Sequence, residues 1–301
     1  MSTDLVNEVT DAYLRTAAGS EAARLRFLQG VWEIQSSIES VDRRYEAPAA
    51  DIAREALAAG RPLFLVSAPE VPVAEYVEAV SRLAHYASSR AGLPAEQSEA
   101  LRVADFGAVI GQDRLAGAVR SPEAFVAEVV SALRADDGGP LTPAAIAFVL
   151  VSALVPFLTG PSRSDLDAVS EPGQVVHGTG HCPVCGAAAS IGRMGESTQL
   201  QGAERTLWCG LCHAEWGYER IRCVRCGCVN PDKLRYSYVD GDPAHRVHLC
   251  DECHGYARFV FVDDLDKPVS MVVEDAVMAT LDAVALANGY TATGDGGAAS
   301  C

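Results

Sequence analysis

Four Cys-x-x-Cys pairs, Cys182/Cys185, Cys209/Cys212, Cys223/Cys226 and Cys250/Cys253, recur with equal spacing in this 301-residue chain. Between Cys185 and Cys209 lie 23 residues, and between Cys226 and Cys250 another 23. An offset of 41 carries the first pair onto the third and the second onto the fourth. The same offset lays Gly186 on Gly227, Arg205 on Arg246 and His213 on His254. The C-terminal part therefore holds two copies of one unit.

A unit of about 40 residues is too small to fold on an apolar core alone. Two cysteines separated by two residues can present both sulfurs to one ion from a tight turn. A second pair completes a tetrahedral four-sulfur site, suited to zinc or to a single iron. Sequential pairing puts Cys182, Cys185, Cys209 and Cys212 on one ion and Cys223, Cys226, Cys250 and Cys253 on another; cross-braced pairing would join first with third and second with fourth. Duplication favours the sequential scheme, because each copy is then complete. Gly186 and Gly227 follow the second cysteine of their pairs, where the chain turns sharply and positive φ is convenient. His213 and His254 hold the equivalent place in the other pairs, and a turn role is expected for them ahead of ligation.

No cysteine occurs in the first 170 residues, which read as a helical bundle. Pro72 opens a helix carrying Val73, Val77, Val80, Ala84 and Ala87, with Gly92 as its stop. Ser121-Pro122-Glu123 opens another, with Phe125, Val126, Val129, Val130 and Leu133, closed by Gly138-Gly139. Thr142-Pro143 starts an apolar helix expected to end near Gly160. Segments 21–40 and 51–59 also carry helical patterns. These stripes are core positions by default. Glu171-Pro172-Gly173 and Gly178-Thr179-Gly180 mark a boundary. Beyond it, Leu234, Tyr236 and Tyr238 alternate as in a strand before the Asp240-Gly241 turn. A last helix is expected from Pro268 to about Asn288. The expected organisation is α+β: a helical domain over 1–172, metal units over 178–222 and 223–263, a C-terminal helix over 264–290 that packs back on the bundle, and a frayed tail over 291–301.

Charge narrows the function. The chain carries 24 Lys+Arg against 40 Asp+Glu, a net −16. Residues 176–262 hold nine basic and nine acidic side chains, and four thiolates around a divalent ion add about −2 per site. Such a surface has little attraction for phosphate backbones, so a nucleic-acid-binding ribbon is the weakest reading. Arg220, Arg222 and Arg225 form the one basic cluster between the units, read as a solvated face or a contact for an acidic partner. No paired carboxylates, nucleophile motif, phosphate loop or dinucleotide fingerprint occurs in the cysteine region, so no catalytic residues are nominated and an enzyme is not expected. The N-terminus lacks a basic segment followed by an apolar one, and the apolar run 144–158 is short and interrupted by Ser152 and Pro156. A cytoplasmic protein without membrane insertion is expected, and there cysteines serve metal or redox chemistry. Cys228 is read as a small neighbour of the site and Cys301 as incidental; His177, His181, His245 and His248 are read as surface residues.

The cysteine region resembles the formate dehydrogenase accessory protein FdhE family. The resemblance rests on CPVCG at 182–186, LWCGLCHAEWGYERIRCVRCG at 207–227 with Trp216 and Tyr218 after the second pair, and YSYVDGDPAHRVHLCDECHGYARFVFVD at 236–263. The closing segment 263–290 and, more loosely, Pro62-Leu63 and the helix at Pro72 also fit. It implies two tandem rubredoxin-like, zinc-ribbon-type units on a helical domain, with the eight paired cysteines as ligands. It also implies a bacterial cytoplasmic accessory protein or chaperone that binds the immature catalytic subunit of formate dehydrogenase before export. The family's metal is linked to iron, which the resemblance favours here, with zinc open. His213 and His254 depart from the Cys-Gly turn of true rubredoxins. A rubredoxin-like electron carrier is the alternative reading.

Overall fold

The structure is a computed structural model, and it describes residues 3–38, 45–134, 139–169, 178–196 and 203–293. The front part is helical: α1 (Thr3–Leu14), α2 (Gly19–Ser36), α3 (Ala50–Ala58), α4 (Val73–Arg90), α5 (Ala95–Val103), α6 (Phe106–Val109), α7 (Gln112–Ala118), α8 (Pro122–Leu133) and α9 (Pro143–Val169). Pro72 caps α4, and Gly92 just past its end takes φ of 66°. Pro122 opens α8, where the ring's fixed φ suits a first turn and its missing N–H costs nothing. The Thr142 hydroxyl accepts from the Ala145 N–H at 3.2 Å and caps α9. The expected boundary at 171–173, Gly138, His177, Cys301 and the tail beyond 293 lie outside the described residues.

One expectation about α9 is corrected. The helix does not stop near Gly160 but runs on to Val169, through Pro156 and Pro161. Pro156 cannot donate to the carbonyl of Ser152, four residues back. The Gln35 side-chain amide takes that place, donating to the Ser152 carbonyl at 2.8 Å. Among the described residues α9 is the one helix long and apolar enough to cross a membrane by length and composition. Its inward face, including Ile146, Leu150, Leu154 and Phe157, is buried in the main core. It packs there on α2, α3, α4 and α8.

The cysteine units build one six-stranded sheet from β1 (Ile191–Glu196), β2 (Ala203–Trp208), β3 (Glu215–Gly217), β4 (Leu234–Tyr238), β5 (His245–Cys250) and β6 (Tyr256–Phe261). The strand order is β3-β2-β1-β6-β5-β4. Within each unit the neighbours are antiparallel; β1 and β6 join the units as a parallel pair, with Gly192 opposite Phe259. The offset of 41 maps β1 onto β4, β2 onto β5 and β3 onto β6. The copies are thus joined head to tail. The joint needs glycine at 192, because the Phe259 ring occupies the space a Cβ would take. One sheet face sends Met194, Leu207 and Phe259 into the main core. The opposite face, with Ile191, Trp208, Val247 and Val260, packs on Met278, Leu281 and Ala285.

The closing segment is also corrected. It is two short helices, α10 (Met271–Val277) and α11 (Ala279–Ala287), not one. Val273 and Val277 of α10 meet Val6, Val9 and Trp32 of the bundle. Leu281 and Ala285 of α11 lie on the sheet instead. One straight helix could not serve surfaces that face different ways, and the chain bends at Met278. Thr291 is not frayed: it accepts from the Tyr256 N–H and donates to the His254 carbonyl.

His245 is not a surface residue. It is 4% exposed and lies between two carboxylates, with Nδ1 at 2.7 Å from Asp242 and Nε2 at 2.8 Å from Glu274. Tyr13 donates to the same Glu274 oxygen at 2.7 Å, and the Lys267 ammonium lies 4.4 Å from the Tyr13 ring centre. Sheet, α10 and α1 therefore meet at one buried charge. Burial alone would push the imidazole pKa down; Asp242 and Glu274 outweigh it and raise it from 6.5 to about 9. A raised pKa means stabilisation that is complete below pH 6.5 and lost as pH climbs through about 9. The Tm advantage of the wild type over His245→Gln is expected to be largest at about pH 6, to be smaller already at neutrality and to shrink further by pH 9.5. Thermal unfolding at several pH values checks this, and an advantage that grows toward high pH contradicts it.

Candidate metal centres

Each Cys-x-x-Cys segment folds into the same short turn. In three of the four, the N–H of the residue after the second cysteine returns to the carbonyl of the first: Gly186 to Cys182, His213 to Cys209 and Gly227 to Cys223. The chain must enter the left-handed region there. Gly186 and Gly227 both show φ of 79°, while His213 and His254 show 59° and 50°. The histidines are held by neighbours. His213 stacks on Trp208 with ring centres 5.0 Å apart, and His254 lies 6.1 Å from Tyr290. They fill the turn position, and neither belongs to the sulfur groups below.

The turns bring the sulfurs together in sequential fashion. Cys182, Cys185, Cys209 and Cys212 form one group and Cys223, Cys226, Cys250 and Cys253 another, each with all sulfurs within 4.8 Å of one another. In the first group Cys182–Cys212 and Cys185–Cys209 are 3.5 Å apart. In the second Cys223–Cys253 and Cys226–Cys250 are 3.8 Å apart. A tetrahedron with metal–sulfur bonds of about 2.3 Å has sulfur–sulfur edges of about 3.8 Å, so either group could hold one ion. Backbone N–H groups already face the sulfurs, from Val184 to Cys182 and from Arg225 to Cys223, both at 3.4 Å.

Electrostatics favours a cation at the first group. Hydrogen bonds from Cys182, Cys185 and Cys212 hold the Cys209 thiol well below its ordinary pKa. Burial drives Cys212 well above its own, and the Cys182 and Cys209 sulfurs do the same to Cys185. One buried thiolate thus opposes ionisation of its neighbours, and a divalent ion relieves the conflict by stabilising all four. Four sulfur donors suit zinc or a single iron equally, and the geometry does not choose between them.

The two groups differ in surroundings. The first lies inside the main core. The turn at Leu63–Leu65 clamps its knuckle, as Leu63 donates to the Pro183 carbonyl and Phe64 to that of Val184, both at 2.9 Å. From α9 the Ser162 hydroxyl approaches the Cys212 sulfur at 3.5 Å. The second group sits in a small cluster of its own with Cys228 and Leu234, and Cys226 is partly exposed. Cys228 is fully buried there, and its carbonyl accepts from the Cys223 N–H. Repeat partners diverge likewise. Arg205 is 5% exposed, lies 4.3 Å over the Phe259 ring, and donates to the carbonyls of Glu219, Arg220 and Arg222. Arg246 lies 3.7 Å over Phe261 but pairs with Asp264 near the surface. Sequence spacing flagged both arginines as repeat partners without giving them a role.

Among the other histidines, His181 is exposed and His248 is not. The latter stacks on Phe259 with ring centres 4.3 Å apart, and burial lowers its pKa to about 3. Trp216 and Tyr218 close the first unit, with the Tyr218 hydroxyl donating to the Cys223 carbonyl at 2.8 Å.

No family model matches the chain. Among curated proteins it is 35% identical over 114 residues to a protein FdhE homolog of Shewanella baltica, covering 37% of this chain and 36% of that protein. A protein FdhE homolog of Pseudomonas aeruginosa is 30% identical over 193 residues, covering 58% of this chain and 61% of that one. The chain thus matches about a third of the first relative's length and less than two thirds of the second's. The crystal structure of the FdhE protein from Pseudomonas aeruginosa aligns over 97% of this chain and 94% of that one, with a TM-score of 0.61 at 21% identity. The helical-plus-ribbon α+β fold is therefore shared along nearly the whole chain.

The exposed flank of Cys226 predicts two phases of metal loss. With a chromogenic chelator, the second group is expected to release its ion first and the first group much more slowly. Cys226→Ser should remove the fast phase and leave the slow one. Cys182→Ser should abolish the slow phase and lower Tm sharply, because structural zinc contributes roughly 10–16 kcal/mol in small domains. A single phase in the wild type, or retention of both ions in the double variant Cys182→Ser, Cys223→Ser, would contradict the ligand assignment.

Proposed function

We propose that the chain, similar to FdhE proteins in sequence and fold, is a cytoplasmic accessory protein for the assembly of active formate dehydrogenase. In this reading it acts as a chaperone that binds the immature catalytic subunit before export. The observation that carries the reading is the coincidence of FdhE-like sequence with an FdhE-like fold, in a chain that brings eight cysteines into two four-sulfur groups. The physical design suits a binding role. The first ion would be a folding element, tying the turn at Leu63–Leu65 and α9 to the ribbon sheet. We assign one ion to each four-cysteine group, iron by family resemblance or zinc by donor chemistry.

A second reading, electron transfer, draws support from one feature. Cys226 of the second group is partly exposed, and an iron–thiolate centre near the surface could exchange an electron with a docked partner. Anaerobic absorbance spectra with metal analysis separate the two, since zinc gives no visible band.

The test is affinity purification of the tagged chain from cells expressing their own formate dehydrogenase, with mass spectrometry of bound proteins. The catalytic subunit is expected to co-purify, and to be lost with Cys182→Ser, Cys223→Ser. Its reproducible absence while present in the lysate overturns stable binding.

A further inference from the structure

The second unit carries an unused joint. In the first unit the outer edge of β1 is filled by β6. The repeat partner of β1 is β4, which ends the sheet with its outer edge unpaired among the described residues. Edge strands usually carry devices against further pairing, such as lysines, prolines or bulges. β4 reads Leu-Arg-Tyr-Ser-Tyr: it carries one charged side chain, Arg235, and Pro231 and Lys233 stand just before it, but Tyr236 is 62% and Tyr238 47% exposed. Val239, Ile221 and Val229 are also exposed, so among the described residues five of the nine large exposed hydrophobic side chains fall between positions 221 and 239.

Beside this strand lies a cavity of about 230 Å³ between β4–β6 and the connection that joins the two units. Its lining includes Arg205, Arg220, Arg222, Arg225 and Arg235 and no Asp or Glu. Its apolar floor includes Leu234, Tyr236 and Ala257. Three of the arginines are already engaged: Arg222 with Glu219 and the Gly178 carbonyl, Arg235 with Asp251, and Arg225 with the Tyr256 carbonyl. Arg220 is exposed and has no ion-pair partner among the described residues. Buried Arg205 keeps its Nε without a hydrogen-bond partner, an uncommon state for a guanidinium.

We propose that the open edge of β4 and the arginine-rimmed groove beside it take an extended acidic segment of another protein, added to the sheet as a seventh strand. Main-chain pairing would supply affinity, as in other cases of strand addition. Carboxylates on the groove-facing side of the added strand would meet the arginine rim, and the apolar side chains between them would point to the opposite face of the sheet. A second copy of this chain fits less well: its own open strand, β3, has three residues, of which Trp216 is buried. The inference rests on the accessory reading only for who the partner is; the surface and its chemistry stand on the groove itself.

The test uses the full, metal-loaded chain and a fluorescein-labelled peptide of alternating glutamate and leucine, read by anisotropy. Saturable binding is expected, weaker by about tenfold in Arg220→Glu, Arg235→Glu, whose exposed side chains leave the fold intact. A lysine–leucine peptide should not bind, and methylation of alternate peptide amides should abolish binding. Arg102→Glu, on the helical part, is the control and should change nothing. Equal binding to the charge-reversed variant, to the lysine peptide or to the methylated peptide overturns the proposal. So does calorimetry showing inorganic pyrophosphate held more tightly than the peptide, which would mark a small-anion site. Failure here with successful recovery of formate dehydrogenase would leave the accessory role and move its surface elsewhere.

Discussion

Four sulfurs at Cys182, Cys185, Cys209 and Cys212 converge inside the same core that buries α4 and α9. Placed there, they are a liability without a counter-charge: ionising one opposes the next, and leaving them as thiols wastes their packing. A bound cation turns that liability into a crosslink between segments far apart in sequence. The front helices reach this crosslink through the Leu63–Leu65 turn and Ser162. The helical part and the ribbon thus share one core around the first sulfur group, and the second unit is attached to it through the sheet.

Duplication explains the shape of that attachment. A unit whose two edges are complementary can join a copy of itself head to tail, with β1 of one against β6 of the other. Such an interface does not close on itself, so two copies leave one edge unpaired at each end. At the β3 end the strand is short and Trp216 is buried. At the β4 end the edge carries tyrosines and a groove of arginines. The same arithmetic that builds the sheet therefore leaves an arginine-lined surface on a chain of net charge −16.

What could be read from sequence was what depends on neighbours in sequence. The Cys-x-x-Cys turns, the left-handed residues after them and the helix starts at Pro72, Pro122 and Pro143 are all set within a few positions. What could not be read depends on distant partners. Pro156 looked like an interruption because Gln35, more than a hundred positions away, supplies the missing hydrogen bond. His245 looked exposed because Glu274 and Tyr13 approach it only in the folded chain. The closing helix looked continuous because its apolar residues serve two different surfaces. The short helices α5, α6 and α7 carry too few turns for periodicity to stand out.

The two centres, equal in sequence, are unequal in consequence. The first is clamped by the helical part, so an ion held there could not leave without loosening the main core. The second meets solvent at Cys226 and is held mainly by its own knuckles and by the hydrogen bond that the first unit's Tyr218 gives to Cys223. The connection carrying Arg220, Arg222 and Arg225 runs between Tyr218 and that second centre, and it also walls the groove beside β4. A change in the second ion's coordination would act first on the Cys223–Cys226 knuckle, and through Arg225 on the wall itself. A partner strand on β4 would act on the same centre from the opposite side, through the pairing of Leu234 with Cys250. If the second group holds an ion and β4 takes a strand, the two would meet at one place, the Leu234–Cys250 pairing and the Cys223–Cys226 knuckle.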